Sequence, residues 1–314
     1  LEPVGNYLAK VLETDVILSH SCIDNGIKTL LGLSTTRIVL LENLRFHPEE
    51  EKNSDDFAQA LASYADYFVF DAFGAAHRKH ASTYAIQKYF PQKCFAGFLI
   101  KKEVEALDHI LNKPAKPFVA VVGGAKISDK IKTLKKLLVL CDSILVGGAM
   151  AYPFLKAKDI EIGKSLCADA DVSIAKELLM EDRSHKIQLP IDHITDETRE
   201  SKDVIGVNEM GFDIGEKSVE KYSQVLANAK TVFWNGPMGF FEKEAFAQGT
   251  FKIANAIAKS SAYSLVGGGD SVNAVHDSGL ADEFSHLSTG GGASLEYIEQ
   301  GSLPAIQALK FGIS

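Results

Sequence analysis

Residues Phe118-Val119-Ala120-Val121-Val122, followed directly by Gly123-Gly124-Ala125-Lys126, decide the fold class of this chain. Five consecutive apolar residues of this kind are typical of a strand that is buried on both faces, as in a parallel sheet. The glycines predict a tight turn, and from Asp129 to Leu140 apolar residues recur at helical spacing. The segment therefore predicts one strand–turn–helix unit of a parallel α/β fold.

The same alternation runs through the rest of the chain. Further strands are predicted at Arg37–Leu41, Asp66–Phe70, Asp142–Val146, Lys230–Trp234, Ala262–Val266 and Phe284–Ser288. Further helices are predicted at Asp55–Tyr64, Val172–Met180, Val219–Ala227 and Phe246–Ala258. Strands that alternate with helices predict parallel sheets covered on both faces, and therefore the α/β class.

Composition disfavours several classes of protein. The chain has 314 residues and a formal net charge of −8, from 33 Lys+Arg against 41 Asp+Glu. This length predicts two domains, and the acidic balance disfavours general binding to nucleic acid or to an anionic membrane. The longest apolar runs are strand-sized, so no membrane span is predicted. Four cysteines (Cys22, Cys94, Cys141, Cys167) stand far apart, which predicts reduced thiols and a cytoplasmic location.

A domain boundary is predicted around Lys101–Pro117. A charged helical pattern with one apolar stripe runs through this segment and ends in Pro114 and Pro117, just before the strongest strand. Because proline disfavours helix at the residue before it, the helix should stop near Asn112. We interpret the segment as a helical connector between an N-terminal portion and a C-terminal domain. The alternative is a surface helix within one domain.

Five glycine clusters each follow an apolar strand. They are the first turn (123–126), the second turn (147–150), the third turn (235–239), the fourth turn (267–270) and the fifth turn (289–292). In a parallel sheet all five turns lie at the carboxyl ends of the strands, where α/β proteins bind ligands. Glycine allows the backbone to approach an anion, and helix N-termini offer free N–H groups. Together the turns predict a nucleotide or polyphosphate site.

Familiar phosphate-binding motifs do not account for these turns. Gly163-Lys164-Ser165 resembles the end of a Walker A motif, but Lys158 stands where that motif needs its first glycine. No G-x-G-x-x-G sequence follows a strand, so the dinucleotide fingerprint is missing too. Metal binding by His77 and His80 is disfavoured, since no carboxylate or cysteine stands at a matching spacing.

Charged residues beside the turns have two interpretations each. Lys126 and Lys130 lie at the start of a predicted helix, where positive charge is unfavourable because the helix macrodipole is positive there. A bound phosphate would compensate for this charge. The alternative is a solvated pair of lysines beside Asp129. Asp270 either caps the next helix or holds Mg²⁺ beside a polyphosphate.

Polar side chains elsewhere suggest further contacts. Glu242 and Asn235 suit ribose and phosphate contacts, with ordinary turn polarity as the alternative. In the N-terminal half, basic residues that include Arg45 and Arg78 follow predicted strands, and their side chains suit a small anionic substrate.

Six segments of the chain resemble the phosphoglycerate kinase family in sequence and in order. These are Leu40–Phe46, Asp71–Arg78, Gly123–Lys126, Trp234–Gly239, Gly267–Ser271 and Ser288–Ala293. The resemblance covers essentially the whole chain. It implies an α/β fold of two Rossmann-like lobes with parallel sheets, joined by an interdomain helix. It also implies reversible phosphoryl transfer from 1,3-bisphosphoglycerate to MgADP, giving 3-phosphoglycerate and MgATP in glycolysis, by hinge closure and electrostatic stabilisation.

The resemblance further implies a division of labour along the chain. Residues 1–98, with the tail 301–314 packed back on them, would form the phosphoglycerate-binding lobe. Residues 99–116 would form the interdomain helix and linker, and residues 117–300 the lobe that binds the magnesium nucleotide. We expect a cytoplasmic monomer that binds neither nucleic acid nor membrane.

Site residues follow from the same resemblance. Lys126 and Lys130 match catalytic lysines, and Arg45 and Arg78 match substrate-binding arginines. The implied ATP/ADP contacts are Lys130, Gly147, Gly148, Asn235, Pro237, Glu242, Gly268, Gly269, Asp270 and Ser271. Gly290, Gly291 and Gly292 match a loop that binds the transferring phosphate, and Asp270 would hold Mg²⁺.

Two departures from the family pattern bear on activity. The family begins with a further stretch that carries an Asp-Asn motif, a catalytic arginine and a His-Gly-Arg motif, and this chain starts after it, so an incomplete N-terminal lobe is expected. Phe70 stands where the family usually has Asn. A nucleotide-binding but inactive remnant is therefore one alternative function. An unrelated α/β ligand-binding protein is another, and it would bind no nucleotide.

Overall fold

A computed structural model describes residues 1–182, 184–196 and 200–313. The chain divides into two compact units. The first unit comprises Leu1–Lys101 and Ser302–Ser314, and the second unit comprises Lys102–Gly301.

Strands and helices alternate along most of the chain. The strands are β1 (Val16–Leu18), β2 (Ile38–Leu40), β3 (Phe68–Phe70), β4 (Cys94–Ala96), β5 (Phe118–Val122), β6 (Ser143–Val146), β7 (Ile187–Gln188), β8 (His193–Thr195), β9 (Ser201–Lys202), β10 (Gly211–Ile214), β11 (Thr231–Asn235), β12 (Tyr263–Gly267) and β13 (His286–Leu287). The helices are α1 (Glu2–Leu12), α2 (Asn25–Leu31), α3 (Pro48–Glu51), α4 (Asp55–Ala62), α5 (Phe98–Asn112), α6 (Ile131–Leu140), α7 (Ala151–Ala157), α8 (Asp169–Glu181), α9 (Glu216–Ala227), α10 (Gln248–Ala258), α11 (Gly269–Asp277), α12 (Gly292–Gln300) and α13 (Pro304–Phe311).

The second unit is built on a six-stranded sheet in the order β13-β12-β11-β5-β6-β7, and its neighbouring strands are parallel. Every residue of β5 and of β11 is buried. Both strands are central, so burial on two faces fits the apolar sequence of β5 and the apolar centre of β11, Val232–Trp234. The predicted α/β class with parallel sheets is confirmed.

The order of the strands creates a switch point in this sheet. From β5 the chain adds β6 and β7 on one side, and later it returns to add β11, β12 and β13 on the other side. Val122 at the end of β5 therefore lies beside Asn235 at the end of β11. In open α/β sheets a crevice forms where two connections leave in opposite directions, and ligands bind there.

A core of large side chains lies beneath this sheet. Tyr222 of α9, Trp234 of β11 and Ile253 of α10 are fully buried in one cluster. The Trp234 indole N–H donates to the Gly236 carbonyl at 2.8 Å, which ties the buried ring to the third turn. The packing of the helices on the sheet thus fixes the position of that turn.

A small antiparallel sheet, β10-β8-β9, departs from the simple alternation expected from the sequence. Its strands are two to four residues long, which is too short for a period to be read from the sequence. The pairing of β10 with β8 shifts between Gly211 and Asp213, so Phe212 lies in a bulge. Bulges redirect side chains and are frequent beside ligand sites.

The first unit contains two parallel pairs of strands, β1-β2 and β3-β4. Its core brings Phe57 of α4 together with Ile86 and Phe90. The C-terminal segment belongs to this unit, where the Gln87 amide donates to the Ala305 carbonyl at 3.0 Å. Among the described residues of both units, none of the helices has the length and apolar character needed to cross a membrane.

Candidate functional site

Three of the glycine turns interlock at the switch point. The Gly123 N–H donates to the Asn235 carbonyl at 2.9 Å, which joins the first turn to the third. The Gly148 N–H donates to the Met238 carbonyl at 2.7 Å, which joins the second turn to the third. The backbone of the crevice is therefore fixed by its own hydrogen bonds before any ligand binds.

The glycines of the turns serve two different purposes. A Cβ at Gly123 would lie 2.0 Å from the Pro237 carbonyl oxygen, and one at Gly236 would lie 2.1 Å from the Gly123 carbonyl oxygen. Gly236 also has a φ of +93°. These glycines are required because the turns pack against one another. By contrast, a Cβ at Gly269 or Gly292 would meet no described atom within 4 Å. Open space beside the backbone is therefore found at Gly269 of the fourth turn and at Gly292 of the fifth turn.

One cavity at this rim has mainly apolar walls and a volume of about 330 Å³. We call it the apolar cavity. It is lined by Gly124, Ala125, Gly148, Ala149, Leu166, Met210, Gly211, Phe212, Pro237, Gly239, Phe240, Glu242 and Asp270. Apolar walls with a few polar groups at the edge suit a flat aromatic ligand.

A second cavity, of about 210 Å³, opens among the glycines, and we call it the glycine cavity. It is lined by Lys130, Asn235, Gly236, Gly268, Gly269, Asp270, Ser271, Gly291, Gly292 and Leu295. Helices α11 and α12 both begin at this cavity, at Gly269 and Gly292. Two helix N-termini and one lysine make the cavity suited to an anion. Asp270 lines both cavities, which therefore adjoin.

Lys130 places a positive charge beside the glycine cavity. Its ammonium donates to the Gly123 carbonyl at 2.6 Å and to the Asn235 carbonyl at 3.3 Å. Burial lowers the pKa of Lys130 to about 8, although the carboxylates of Asp270 and Asp129 oppose this change. Burial thus leaves the charge unfavourable without a bound anion, and a phosphate would compensate for it.

Lys126 occupies a different environment. It is exposed, and it follows Ala125, which lines the apolar cavity. Helix α6 begins at Ile131 after a 3₁₀ turn from Ser128 to Lys130, two residues later than the helix expected from the sequence. Lys126 is consequently on the loop before the helix and is free to reach a ligand at the rim.

Asp270 and Ser271 lie in the first turn of α11. Gly268 occupies the N-cap position, so Asp270 is inside the helix and its exposed carboxylate is available at the two cavities. Ser271 is almost fully buried, and its hydroxyl accepts a hydrogen bond from the Gly236 N–H at 2.5 Å. Ser271 thus joins the fourth turn to the third.

The side-chain amide of Asn235 is hydrogen-bonded at its nitrogen but, among the described residues, not at its oxygen. Its side-chain amide donates to the Gly267 carbonyl at 2.7 Å, while its buried Oδ1 has no hydrogen-bond partner among the described residues. An orphaned buried acceptor beside a cavity is a place for a donor on a ligand. Gly147 is buried against Met238, and Gly290 is buried in the fifth turn, so both glycines lie beneath the surface of the cavities.

A buried carboxylate that the sequence analysis did not single out holds the fifth turn. Glu103 of α5 is fully buried and accepts from His286 Nε2–H and from the Ser288 hydroxyl, both at 2.8 Å. It also accepts from the N–H and the hydroxyl of Thr289, both at 2.7 Å. Thr289 directly precedes Gly290, so Glu103 fixes the start of the glycine loop. In the sequence it was one charge among several on a helix.

The two arginines expected to bind substrate lie in the first unit. Arg45 is exposed on a 3₁₀ turn after β2, where its N–H donates to the Asn43 side chain at 3.0 Å. Arg78 is also exposed, and its Nε donates to His77 Nε2 at 3.3 Å. Both guanidinium groups are available to an anionic ligand.

Several wall residues were missed by the sequence analysis. Leu166, Met210 and Phe212 come from segments without a strong strand or helix pattern, so only the folded chain reveals that they share a cavity. Among residues 1–182, 184–196 and 200–313, no group of three or more His, Cys, Asp or Glu side chains is arranged to hold a metal ion.

An open, doubly wound parallel sheet with two adjoining cavities at its switch point defines an α/β protein with its ligand site at the carboxyl ends of the strands. The family model described as phosphoglycerate kinase matches residues 1–301. The chain is 50% identical over 319 residues to the phosphoglycerate kinase of Anaeromyxobacter dehalogenans (strain 2CP-C), covering 98% of this chain and 80% of that one. The protein belongs to the phosphoglycerate kinase family, and the expected resemblance is confirmed.

Other relatives agree. The phosphoglycerate kinase of Bdellovibrio bacteriovorus is 46% identical, with 99% of this chain and 80% of that one covered. The solved structure from Coxiella burnetii has a TM-score of 0.85 at 40% identity, covering 98% of this chain and 79% of that chain. The structure from Pyrococcus horikoshii OT3 has a TM-score of 0.86 at 30% identity, covering 99% of this chain and 82% of that chain. Members of this family are phosphotransferases that act on a nucleotide and a phosphoglycerate.

Proposed function

We propose that the second unit binds the magnesium nucleotide and that Lys126, Lys130 and residues 268–271 and 290–292 position its phosphates during transfer to and from phosphoglycerate. The observation that carries this assignment is the junction of the apolar cavity and the glycine cavity at Asp270. An adenine base suits the first cavity, and a chain of phosphates suits the second. Glu242 and Pro237 line the apolar cavity, where a ribose would meet them.

Positive charge and position supply the catalysis in this proposal. Phosphoryl transfer needs no protein nucleophile, because the barrier falls when the developing charge on the shared oxygens is stabilised. Lys130 provides a buried charge beside the glycine cavity, and exposed Lys126 provides a second one at the rim. Gly291 and Gly292 line the glycine cavity and would present backbone N–H groups to the same phosphate, while the Gly290 N–H donates to the Ser288 hydroxyl and holds the loop.

Mg²⁺ fits the donor set of this rim. Asp270 offers an exposed carboxylate beside an anion cavity, and Mg²⁺ is usually held by one or two carboxylates together with substrate phosphates. The ion would neutralise phosphate charge. Gly269 would leave space beside Asp270 for the phosphates, since a Cβ there would meet no described atom within 4 Å.

The remaining assignments belong to the same proposal. Arg45 and Arg78 of the first unit would bind the carboxylate and phosphate of phosphoglycerate, because guanidinium groups bind both groups bidentately. All four cysteines are free thiols, which supports a cytoplasmic location. We propose that the protein works as a monomer.

A calorimetric titration of the whole chain with MgADP tests the nucleotide site. We expect Asp270→Ala to abolish micromolar binding, while Asp277→Ala, at the exposed far end of the same helix, leaves it intact. Absence of binding in a folded protein would contradict the proposal. Loss of binding in both variants would indicate a general effect on α11.

Turnover separates an active kinase from a nucleotide-binding remnant. We expect Lys126→Ala to reduce turnover far more than it weakens adenosine binding, because its charge acts on the transferring phosphate. Lys176→Ala, an exposed lysine on α8, is the control and should change neither quantity. Equal losses in turnover and in adenosine binding would contradict the role of Lys126.

A further inference from the structure

A buried carboxylate lies directly behind the apolar cavity. Gly211 and Phe212 of β10 line that cavity, and Asp213 follows them with only 2% of its surface exposed. No nucleotide contact is expected of Asp213, because its side chain points into the unit. Its surroundings show what it holds.

Asp213 caps a helix that begins elsewhere in the sequence. Its Oδ2 accepts from the Gly249 N–H at 2.7 Å, within the first turn of α10, and its Oδ1 accepts from its neighbour Ile214 at 2.9 Å. The residue at the N-cap position of α10 is Ala247, which has no acceptor on its side chain. Asp213 therefore replaces the missing cap from strand β10.

The carboxylate is also enclosed by two glycines. A Cβ at Gly239 of the third turn, or at Gly249 of α10, would lie 2.2 Å from Asp213 Oδ1. The third turn, β10 and α10 therefore meet at this one side chain. Gly239 lines the apolar cavity, so a shift of the Asp213 carboxylate would displace the wall of that cavity.

The aromatic wall depends on the same strand. Phe212 lies in the bulge before Asp213 and stacks on Phe246 with ring centroids 4.7 Å apart. Its carbonyl accepts from the Phe240 N–H at 2.8 Å, and Phe240 is another wall residue. The position of β10 thus sets both aromatic rings at the cavity.

We propose that Asp213 is a positioning residue for nucleotide binding: its ionised carboxylate holds β10, the third turn and the start of α10 together, and so maintains the wall that receives the base. This inference rests on the proposed nucleotide site. It adds a residue that never touches the nucleotide but tunes the affinity for its base.

The ionisation state of Asp213 provides a specific test. Burial raises the pKa of Asp213 to about 7, with a further rise from Glu216, while hydrogen bonds from Gly249 and Ile214 and the charge of Lys252 oppose it. A proton on Oδ2 would displace the Gly249 N–H. The ionised form binds the base better, so the affinity should fall as the pH drops through about 7.

Tyr152 and His193, which lie near Asp213, stay uncharged in this range. Tyr152 of α7 has its pKa raised by burial and by Asp213. Burial lowers the pKa of His193 of β8 to about 4. Lys252 and Glu216 form a hydrogen-bonded ion pair with each other on the surface. Lys130 of the glycine cavity, whose pKa burial lowers to about 8, also titrates near this range, so the part of the change that disappears in Asp213→Asn is assigned to Asp213.

The experiment is a calorimetric titration with adenosine, which carries no phosphate, from about pH 6 to about pH 8. For Asp213→Asn we expect adenosine to bind about tenfold more weakly at the upper pH, since the amide cannot accept both N–H groups. We also expect the pH dependence of the wild type to disappear. The KM of phosphoglycerate should remain unchanged.

Asp192→Asn is the matched control. Asp192 is also fully buried and accepts from the first turn of α9, from Lys217 N–H at 2.9 Å and Ser218 N–H at 2.7 Å. Burial acts to raise the pKa of Asp192, but hydrogen bonds from Ser201, Ser218 and Lys217 outweigh it, so Asp192→Asn should lose stability without losing adenosine affinity.

Each outcome decides the question. Unchanged adenosine affinity in Asp213→Asn, or equal losses in both variants, would reduce Asp213 to a structural cap and overturn the inference alone. No adenosine or MgADP binding by the wild type would overturn the proposed site as well. If Asp213→Asn does not fold, the pH profile of the wild type still decides, because a flat profile refutes the inference.

Discussion

Replacing Glu103 with alanine should destabilise the second unit by about 3–5 kcal/mol, the range typical of a buried charged cluster that loses one partner. Glu103 is fully buried and accepts four hydrogen bonds of 2.7–2.8 Å from His286, Ser288 and Thr289. Without the carboxylate these donors face a small cavity instead of an acceptor.

The magnitude follows from the fate of each donor. A buried group left without its partner costs about 1–3 kcal/mol, but the four costs do not add fully. The Ser288 hydroxyl keeps Ser294 within 2.6 Å, so it retains one hydrogen bond. The N–H and hydroxyl of Thr289 share one carboxylate oxygen and are lost together. The sum therefore stays within the stated range.

Glu103→Gln separates the charge from the shape. The amide oxygen can still accept from Thr289, so we expect a loss of only about 1–2 kcal/mol. Burial acts to raise the pKa of Glu103, but hydrogen bonds from His286, Thr289 and Ser288 outweigh it and lower the pKa overall. A lowered pKa stabilises the fold above the unfolded value of about 4.3, and this stabilisation is lost as the pH falls through the folded value. The difference in the free energy of unfolding between the wild type and Glu103→Gln should shrink below about pH 4.

Urea unfolding followed by tryptophan fluorescence measures these effects. The single tryptophan, Trp234, is fully buried in the second unit and reports on that unit alone. Turnover should fall as well in Glu103→Ala, because Thr289 leads into the fifth turn. A loss of less than about 1 kcal/mol in the alanine variant, or equal losses for alanine and glutamine, would refute the reasoning.

Four further predictions follow from the same structure. Lys130→Met removes a buried charge whose pKa is lowered to about 8, so calorimetric scanning should show a higher melting temperature without nucleotide, together with weaker MgADP binding. Gly123→Ala places a Cβ 2.0 Å from the Pro237 carbonyl oxygen, and we expect a loss of more than about 3 kcal/mol in urea unfolding. Gly292→Ala meets no described atom within 4 Å, so its stability should stay within about 1 kcal/mol of the wild type while turnover falls. Arg78→Ala should raise the KM of phosphoglycerate and leave MgADP titrations unchanged.

The centre of the sheet could be predicted from the sequence. Strand β5 has the predicted bounds, Phe118–Val122, because all five of its residues are buried and apolar. Strands β6, β11 and β12 lie within one residue of their predicted bounds, because each contains two or three consecutive buried apolar residues. Continuous burial leaves a local signal in the sequence, and the glycine turns mark where each strand ends.

The supporting contacts could not be predicted in this way. Glu103 and Asp213 are ordinary acidic residues in the sequence, and their importance comes from partners more than thirty residues away. Strand β10 is four residues long and contains both Gly and Asp, which are unfavourable in strands. Ser271 is predicted to contact nucleotide, and the structure adds that its hydroxyl binds Gly236. Such roles are properties of tertiary packing.

The interlocked turns have a consequence for the way gene duplicates of this protein would diverge. At Gly123 and Gly236 the obstacle to any side chain is the chain's own carbonyl groups, so folding alone demands glycine there. A copy released from catalysis would keep both positions and would drift first at Lys126, Asp270 and Gly292, where space is open or the side chain is exposed. Glycine at positions 123 and 236 would thus indicate common ancestry, and the residues at positions 126, 270 and 292 would indicate whether a descendant is still a kinase.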